Sequence, residues 1–144
     1  MYRDKMNELK KWKDSPTRKP LIIRGARQVG KTWLMKEFGK QYYKKCAYIN
    51  FDDNSRMDKL FEDDFDLDKI IQGLKIESNV NIEPENTLII LDEIQETPKA
   101  LKALKYFYEN ANQYHIVSAG SLLGVAIHEG TSFPVGKVDF LDLA

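Results

Sequence analysis

The sequence predicts an α/β fold with a mostly parallel central sheet of about five strands. Three observations carry this prediction: short aliphatic runs recur along the chain, segments with helical periodicity separate them, and polar or glycine-containing turns lie between the two. Strands that alternate with helices pair in parallel, because each helix returns the chain to the same edge of the sheet. We therefore expect three layers, with helices on both faces of the sheet, in one domain that spans residues 1–144.

The first half of the chain supplies two of the predicted strands. An amphipathic helix is expected within residues 3–14, and residues 21–23 form an aliphatic run typical of a strand buried on both faces. A helix of about three turns is expected from Lys31, because apolar residues recur there at helical spacing. Residues 47–51 are the second predicted strand, and residues 52–86 are polar and acidic with two weak helical patterns.

The second half supplies the other three strands. Residues 87–91 end in four aliphatic residues and are followed directly by carboxylates. A helix is expected to begin at Thr97 and Pro98, since a capping hydroxyl and a first-turn proline precede a clean apolar stripe. Residues 114–117 and 138–143 are the fourth and fifth predicted strands. The sequence stops inside the last of these, so we expect the chain to be the amino-terminal part of a longer protein.

Composition argues against several classes of protein. The chain has 42% hydrophobic and 31% charged residues, as a soluble globular domain does, and no apolar run approaches the roughly 20 residues that cross a bilayer. The charged amino terminus lacks the apolar segment of a secretion signal, so we predict a cytoplasmic protein without a membrane contact. Cys46 is the single cysteine, and the two histidines are too far apart in sequence to suggest a metal site. Basic and acidic residues number 22 each, so the chain has no basic excess. Nucleic acid is a possible partner, but the net charge does not support it.

A glycine-rich octet joins the first predicted strand to its helix. Its residues match the phosphate-binding pattern G-x-x-x-x-G-K-[ST]: Gly25, Ala26, Arg27, Gln28, Val29, Gly30, Lys31 and Thr32. The two glycines allow the backbone to approach phosphate oxygens closely, and the amino terminus of the helix adds positive potential. We expect Lys31 to reach the β- and γ-phosphates and the Thr32 hydroxyl to coordinate Mg²⁺. The octet therefore predicts a site for a nucleoside triphosphate with Mg²⁺.

Two carboxylates follow the third predicted strand. They lie at the carboxyl end of a strand, where open α/β folds bind their ligands. Asp92 is expected to hold Mg²⁺, through water. Glu93 is expected to act as the general base that polarises the water attacking the γ-phosphate. Together with the octet, the pair predicts hydrolysis and not binding alone.

The adjacent acidic pair also favours the class of phosphate-loop ATPases with an additional strand. That strand is inserted between the phosphate-loop strand and the acidic strand, so that the strands follow the order five, one, four, three, two across the sheet. Residues 114–117 would be the inserted strand. Ser121, or Ser118 as the alternative, would then face the γ-phosphate and sense hydrolysis. An ordinary glycine-containing turn is the competing interpretation of both serines.

Three motifs together resemble one family of ATPases. They are the stretch 18–32, the sequence LIILDEIQ at 88–95 and the sequence AGSLLG at 119–124. Over essentially its whole length, the chain resembles the bacterial and archaeal AAA-type ATPases in which an AAA_14 domain precedes a DUF4143 domain. The resemblance implies ATP as the nucleotide, an additional-strand core, and a further domain beyond this chain. It also implies a position for Gln95 near the site, and it makes a homo-oligomer possible.

One feature departs from that family. Many of its members carry Gly-Arg before the last strand, a candidate arginine finger, whereas here Gly136 is followed by Lys137. Lysine lacks the planar fork that grips a transferring phosphoryl group. No arginine follows Arg56, so a finger would be Lys137, an amino-terminal arginine of a neighbouring subunit, or part of the further domain. Arg24 and Arg27 flank the phosphates, where they could contact nucleotide or serve the structure.

Three functions fit these residues. The first is Mg-dependent ATP hydrolysis coupled to a conformational change. The second is a nucleotide-dependent switch or DNA-associated module that binds ATP with little turnover in this domain, since an arginine finger can contribute roughly a thousandfold or more in rate. The third, a small-molecule kinase, is disfavoured because such enzymes close an arginine-bearing lid over the phosphates and the second half of this chain has no arginine.

Overall fold

The computed structural model of the chain describes residues 2–26, 29–121 and 136–143. The helices in these ranges are α1 (Tyr2–Asp14), α2 (Lys31–Tyr42), α3 (Ser55–Leu60), α4 (Leu67–Ser78) and α5 (Pro98–Asn110). The strands are β1 (Leu21–Gly25), β2 (Lys45–Asn50), β3 (Thr87–Asp92), β4 (His115–Ser121) and β5 (Asp139–Asp142). No helix of the described ranges is long and apolar enough to span a membrane.

The strands form one sheet in the order β2-β3-β4-β1-β5, and every neighbouring pair is parallel. This is the predicted order counted from the opposite edge, so the predicted fold is confirmed. β4 is the inserted strand between β1 and β3. Because all strands run in one direction, the end of β1 at Gly25, the end of β3 at Asp92 and the end of β4 at Ser121 share one edge. The candidate site lies at that edge.

Helices cover both faces of the sheet, which gives the three predicted layers. Alternate strand residues face opposite sides, and each side has its own apolar cluster. On one face, α1 and α2 pack on residues such as Leu21, Ile23 and Ile90. On the other face, α3, α4 and α5 pack on a second set that includes Ile22 and Ile89. The two weak helical patterns of residues 52–86 correspond to α3 and α4.

Two local predictions differ from the structure. β4 begins at His115 and continues to Ser121, so the segment from Ser118 that suggested a turn is strand. Its backbone pairs with β1 along that whole segment, and this pairing outweighs the local turn signal of Gly120. Thr97 precedes α5, but its hydroxyl makes no cap and donates instead to Asp58 Oδ1 at 2.6 Å.

His115 occupies an aromatic site at the start of β4. The Tyr43 hydroxyl lies 2.6 Å from His115 Nδ1, and the Trp12 ring packs edge-on at 6.0 Å between ring centroids. Burial, together with the positive charges of Arg18 and Lys13, lowers the pKa of His115 to about 4. The imidazole is therefore neutral in the folded chain at pH values where the unfolded chain binds a proton.

This pKa predicts a loss of stability in acid. In the unfolded chain His115 takes up a proton near pH 6.5, so its contribution is complete above that pH and is lost as the pH falls toward 4. We expect this group to lower the free energy of unfolding by about 2 kcal/mol across that interval. Urea unfolding at pH 7 and pH 4.5 should show a smaller difference for His115→Gln than for the unsubstituted chain. Equal differences for the two proteins would refute the assignment.

Candidate active site

The octet forms the connection between β1 and α2. Gly30 caps α2 in a left-handed conformation with φ 89° and ψ 20°, which a residue with a Cβ rarely adopts. A Cβ on Gly25 would lie 2.6 Å from the Leu143 carbonyl oxygen and 3.0 Å from Val29 Cγ2. Both glycines are therefore required by the local backbone. Arg27 and Gln28, predicted members of the octet, lie outside the described residues.

The Lys31 side chain folds back into the octet. The residue is 9% exposed, and its Nζ donates to the carbonyl oxygens of Gly25 at 2.7 Å and Ala26 at 2.9 Å. A buried ammonium group requires such acceptors, because the loss of hydration is otherwise costly. The lysine charge is thus held at the amino-terminal end of α2, where the helix already concentrates positive potential. This end of the loop is suited to bind an anion.

Asp92 is the centre of a hydrogen-bond network at the end of β3. The Thr32 hydroxyl donates to Asp92 Oδ2 at 2.6 Å, and the Tyr48 hydroxyl donates to the same oxygen at 2.7 Å. The Glu93 backbone N–H donates to Oδ1 at 3.0 Å. Burial and the bond to Asp92 raise the pKa of Tyr48 above its ordinary value, so this hydroxyl remains a donor in alkaline solution as well as at neutral pH. The carboxylate, only 3% exposed, is therefore fixed in orientation from α2, β2 and its own strand end.

Glu93 turns the chain away from the sheet immediately after Asp92. Its backbone is left-handed, with φ 55° and ψ 42°, a conformation that costs a non-glycine residue on the order of 1 kcal/mol. The buried Gln95, in the short 3₁₀ helix Ile94–Glu96, donates from Nε2 to Glu93 Oε1 at 2.8 Å. The resemblance had implied that Gln95 lies near the site, and here it contacts the side chain of the predicted base.

The two candidate serines differ in position. Ser121 is the last residue of β4, lies opposite Gly25 in the β1–β4 register and is partly exposed. It therefore stands at the same sheet edge as the octet. Ser118 is fully buried within the sheet, opposite Ile22 on one side and Leu91 on the other. That burial places it away from the edge and disfavours it as the residue that senses phosphate.

The two basic residues considered as phosphate contacts have partners of their own. Arg24 makes a two-pronged ion pair with Asp142 at 2.8 and 3.2 Å and stacks on the Phe140 ring at 4.1 Å, so it links β1 to β5. Lys137 lies just before β5, and its Nζ is 3.1 Å from Glu109 Oε2. β5 is parallel to β1, so Lys137, which precedes β5, lies at the amino-terminal edge of the sheet. The octet lies at the other edge, where β1 ends. Lys137 is not a finger for the phosphate loop of its own chain.

The donor chemistry at Thr32 and Asp92 fits Mg²⁺. A hydroxyl oxygen and a carboxylate oxygen meet at one point, and hard oxygen donors are those that Mg²⁺ prefers. In the described ranges no group of three or more His, Cys, Asp or Glu side chains could hold a metal. A Mg²⁺ ion held by Thr32 and Asp92 would take its remaining ligands from phosphate oxygens and water.

Tyr48 is the contact that the sequence analysis did not identify. It lies on β2, opposite Ile90 of β3 in the register, two residues before Asn50, which stands opposite Asp92. A tyrosine near the carboxyl end of a predicted strand was the available signal. Sequence alone gives no strand neighbours, however, so the 44-residue separation from Asp92 concealed the pairing.

Residues 17–144 match the AAA_14 family, which is described as an AAA domain. Among curated proteins, no significant match to the chain was found.

Several solved structures share the fold. A Walker-type ATPase of Pyrococcus abyssi superposes with a TM-score of 0.59 at 15% identity, over 99% of this chain and 53% of that one. The Aeropyrum pernix ORC1 protein, solved in complex with DNA, gives 0.55 at 15% identity, over 99% of this chain and 44% of that one. Drosophila ORC bound to AT-rich DNA and Cdc6 superposes with a TM-score of 0.57 at 13% identity, over 99% of this chain and 54% of that one. The chain thus spans about half the length of these proteins, and at such identities the likeness shows the fold alone.

Proposed function

Because the chain belongs to the AAA_14 family of AAA domains, we propose that it binds Mg-ATP at residues 25–32 and hydrolyses it. The observation that carries the proposal is the arrangement at the carboxyl edge of the sheet. There the Lys31 ammonium is held within the octet, and the Thr32 hydroxyl lies 2.6 Å from the carboxylate of Asp92. A cation, a hydroxyl beside a carboxylate and, one residue on, a second carboxylate are the groups that binding Mg-ATP and activating water require.

Lys31 is the residue proposed to exchange partners when nucleotide binds. Its Nζ donates to two neutral oxygens, the backbone carbonyls of Gly25 and Ala26. The β- and γ-phosphate oxygens are charged acceptors and form stronger bonds with an ammonium group. Backbone N–H groups of the octet would bind the same phosphates, with the positive end of α2 behind them. Binding would thus give the Lys31 ammonium acceptors stronger than the neutral carbonyl oxygens.

Thr32 and Asp92 would hold Mg²⁺, and Tyr48 would keep the carboxylate of Asp92 in place. When bound, Mg²⁺ neutralises part of the charge on the β- and γ-phosphates. The direct Thr32–Asp92 hydrogen bond shows that the two oxygens are already adjacent in the described structure. Little reorganisation of the protein is then needed to bind the metal.

Glu93 is proposed as the general base. It would take a proton from water as the water oxygen bonds to the γ-phosphorus, while the bond to the bridging oxygen of ADP breaks. The products are ADP, phosphate and one proton. Gln95, which donates to Glu93 Oε1, would orient this carboxylate. Ser121, at the same edge, is the proposed sensor of the γ-phosphate.

Further parts of the proposal concern the protein around this domain. We infer that hydrolysis drives a conformational change, that a DUF4143 domain follows the ATPase domain, and that a finger comes either from a neighbouring subunit of an oligomer or from that further domain. A cytoplasmic location stays a prediction. DNA is bound by two of the proteins of similar fold, ORC1 and ORC. DNA binding by this chain is a proposal only. The equal numbers of acidic and basic residues do not support it, because proteins that bind DNA usually carry an excess of basic residues.

A second candidate function is favoured by one observation. Lys137 lies at the opposite edge of the sheet from the octet, and no arginine follows Arg56 in the sequence. Without a finger, the domain alone would act as a nucleotide-dependent switch that binds ATP and turns it over slowly. The two candidates share the binding site and differ in rate.

The test is to measure ATP binding by calorimetry and phosphate release with the 144-residue chain, each with Mg²⁺ and with excess EDTA. Saturable Mg-ATP binding with phosphate release above background supports the ATPase. Binding with release at background supports the switch. A chain that binds no ATP at any usable concentration would exclude both.

Asp92→Asn tests the metal site. We expect it to raise the Mg²⁺ concentration needed for half-maximal phosphate release about 10- to 100-fold, because an amide is a poorer Mg²⁺ partner than a carboxylate. This concentration is the readout. Asp68→Asn on the exposed side of α4 is the control, and it should leave that concentration unchanged. An unchanged Mg²⁺ requirement in Asp92→Asn would exclude Asp92 from the metal site.

A further inference from the structure

Two exposed aromatic rings stand in contact beside the octet. Trp33 is 52% exposed and Tyr2 is 41% exposed, although both carry large apolar surfaces. Their ring centroids are 4.9 Å apart, with an angle of 59° between the ring planes. Single exposed apolar residues are common, but a joined pair of aromatic rings is a surface on which a planar ligand can stack.

The pair borders the phosphate cradle. Trp33 follows Thr32 directly, in the first turn of α2. The Tyr2 hydroxyl lies 2.5 Å from the point that a Cβ on Gly30 would occupy, so this ring lies against the octet itself. A nucleotide held by its phosphates in the octet would carry its other end within reach of these rings.

The pair also lies on the correct side of the cradle. The acidic pair Asp92 and Glu93 follows β3, which is separated from β1 by β4. Tyr2 begins α1, and later residues of this helix line a cavity of about 460 Å³ with the first residues of β1 and β5, so α1 lies on the β5 side of β1. If the γ-phosphate faces Glu93, the nucleoside end extends away from β3 and toward α1. The aromatic pair, which lies against Gly30 at the start of α1 and α2, would then face that end of the nucleotide.

We propose that Tyr2 and Trp33 form a stacking platform for the nucleobase of the bound nucleotide. The inference rests on the proposed function, because the phosphates must occupy the octet for the base to reach the rings. Stacking uses the π-face that every base presents, so the platform would separate nucleotides from bare polyphosphate without choosing adenine over guanine. Trp33 is the main contact because it is the larger and the more exposed of the two residues.

The experiment compares two ligands that share a triphosphate, Mg-ATP and Mg-tripolyphosphate, by calorimetry. Trp33→Ala should weaken ATP binding about 10- to 100-fold, the range that loss of one stacked aromatic ring corresponds to. The same variant should change tripolyphosphate affinity by less than about twofold. Trp33→Phe, which keeps a ring, should retain most of the ATP affinity. Ile76→Ala removes another exposed apolar side chain, 82% exposed on α4, and should alter neither ligand.

A purely structural contact between α1 and α2 would give a different result. Loss of that contact would disturb the octet and weaken both ligands equally, which would overturn the platform. Unchanged binding of both ligands by Trp33→Ala would overturn it as well.

Results with the unsubstituted chain separate this inference from the proposed function. If ATP and tripolyphosphate bind equally tightly, the base contributes nothing to affinity. That result would refute the stacking platform and leave the proposed phosphate site supported. If neither ligand binds, the proposed function itself fails and the platform with it.

Fluorescence supplies a second measurement. Trp12 is buried and Trp33 is exposed, so Trp12→Phe leaves Trp33 as the single tryptophan. In that variant, ATP should change the emission of Trp33 and tripolyphosphate should not. Equal changes with both ligands would contradict stacking.

Discussion

Glu93→Gln is expected to bind Mg-ATP as tightly as the unsubstituted chain while releasing phosphate at least about 100-fold more slowly. The amide cannot accept the proton of the attacking water, but it keeps the size and shape of the carboxylate. In the structure the Glu93 side chain accepts a hydrogen bond from Gln95 Nε2, and the Glu93 backbone N–H donates to Asp92 Oδ1. Because glutamine preserves the shape of the side chain and removes its basicity, the substitution separates nucleotide binding from proton abstraction.

Calorimetry with Mg-ATP and a phosphate-release assay measure the two properties in the same preparation. Glu96→Gln is the matched control, because it removes the other carboxylate that contacts Gln95 Nε2, at 3.4 Å. It should leave the rate within about threefold, a change of well under 1 kcal/mol in the barrier. If Glu93→Gln hydrolyses ATP as fast as the unsubstituted chain, Glu93 is not the base. If both Gln variants slow hydrolysis equally, the loss reflects the charge of this turn and not a specific role of Glu93.

The architecture was predictable from sequence because it depends on local patterns. Runs such as 21–23 and 87–91 are too apolar to be anything but buried strands, and a parallel arrangement follows from the helices between them. The insertion of β4 between β1 and β3 was inferred from the adjacent acidic residues Asp92 and Glu93, and the sheet order confirms it.

Predictions were weaker where a residue's role depends on a distant partner. Thr97 has the sequence of a helix cap, but Asp58, 39 residues earlier in the chain, accepts its hydroxyl. Arg24 stands beside the octet in sequence, yet β5 brings Asp142 and Phe140 to it. In each case a local pattern was outweighed by a partner that only the folded sheet supplies.

The candidate site divides in the same way. The octet and the acidic pair were identified because each is contiguous in sequence. Tyr48 and the aromatic pair Tyr2–Trp33 were not, since their significance comes from contacts across strands and helices.

Lys31→Ala is expected to weaken Mg-ATP binding about 100-fold or more, because it removes a buried cation from the phosphate site. Lys31 is 9% exposed, so its ammonium group has already lost most of its hydration in the folded chain. Contact with the phosphates therefore costs little further desolvation. An exposed lysine would be screened by water and would contribute far less. Lys40→Ala, at the exposed end of α2, removes one charge from the same helix and is the matched control.

The two variants separate a specific contact from a general electrostatic effect. If the field of α2 alone attracts the nucleotide, both should lose affinity to a similar, small extent that grows at low salt. If Lys31 binds the phosphates directly, only Lys31→Ala should lose most of its affinity at every salt concentration. Thermal unfolding of each variant checks the fold, because Lys31 also donates to Gly25 and Ala26. If a folded Lys31→Ala variant binds Mg-ATP with unchanged affinity, the octet is not the phosphate site. No other described residue places a buried cation inside the octet.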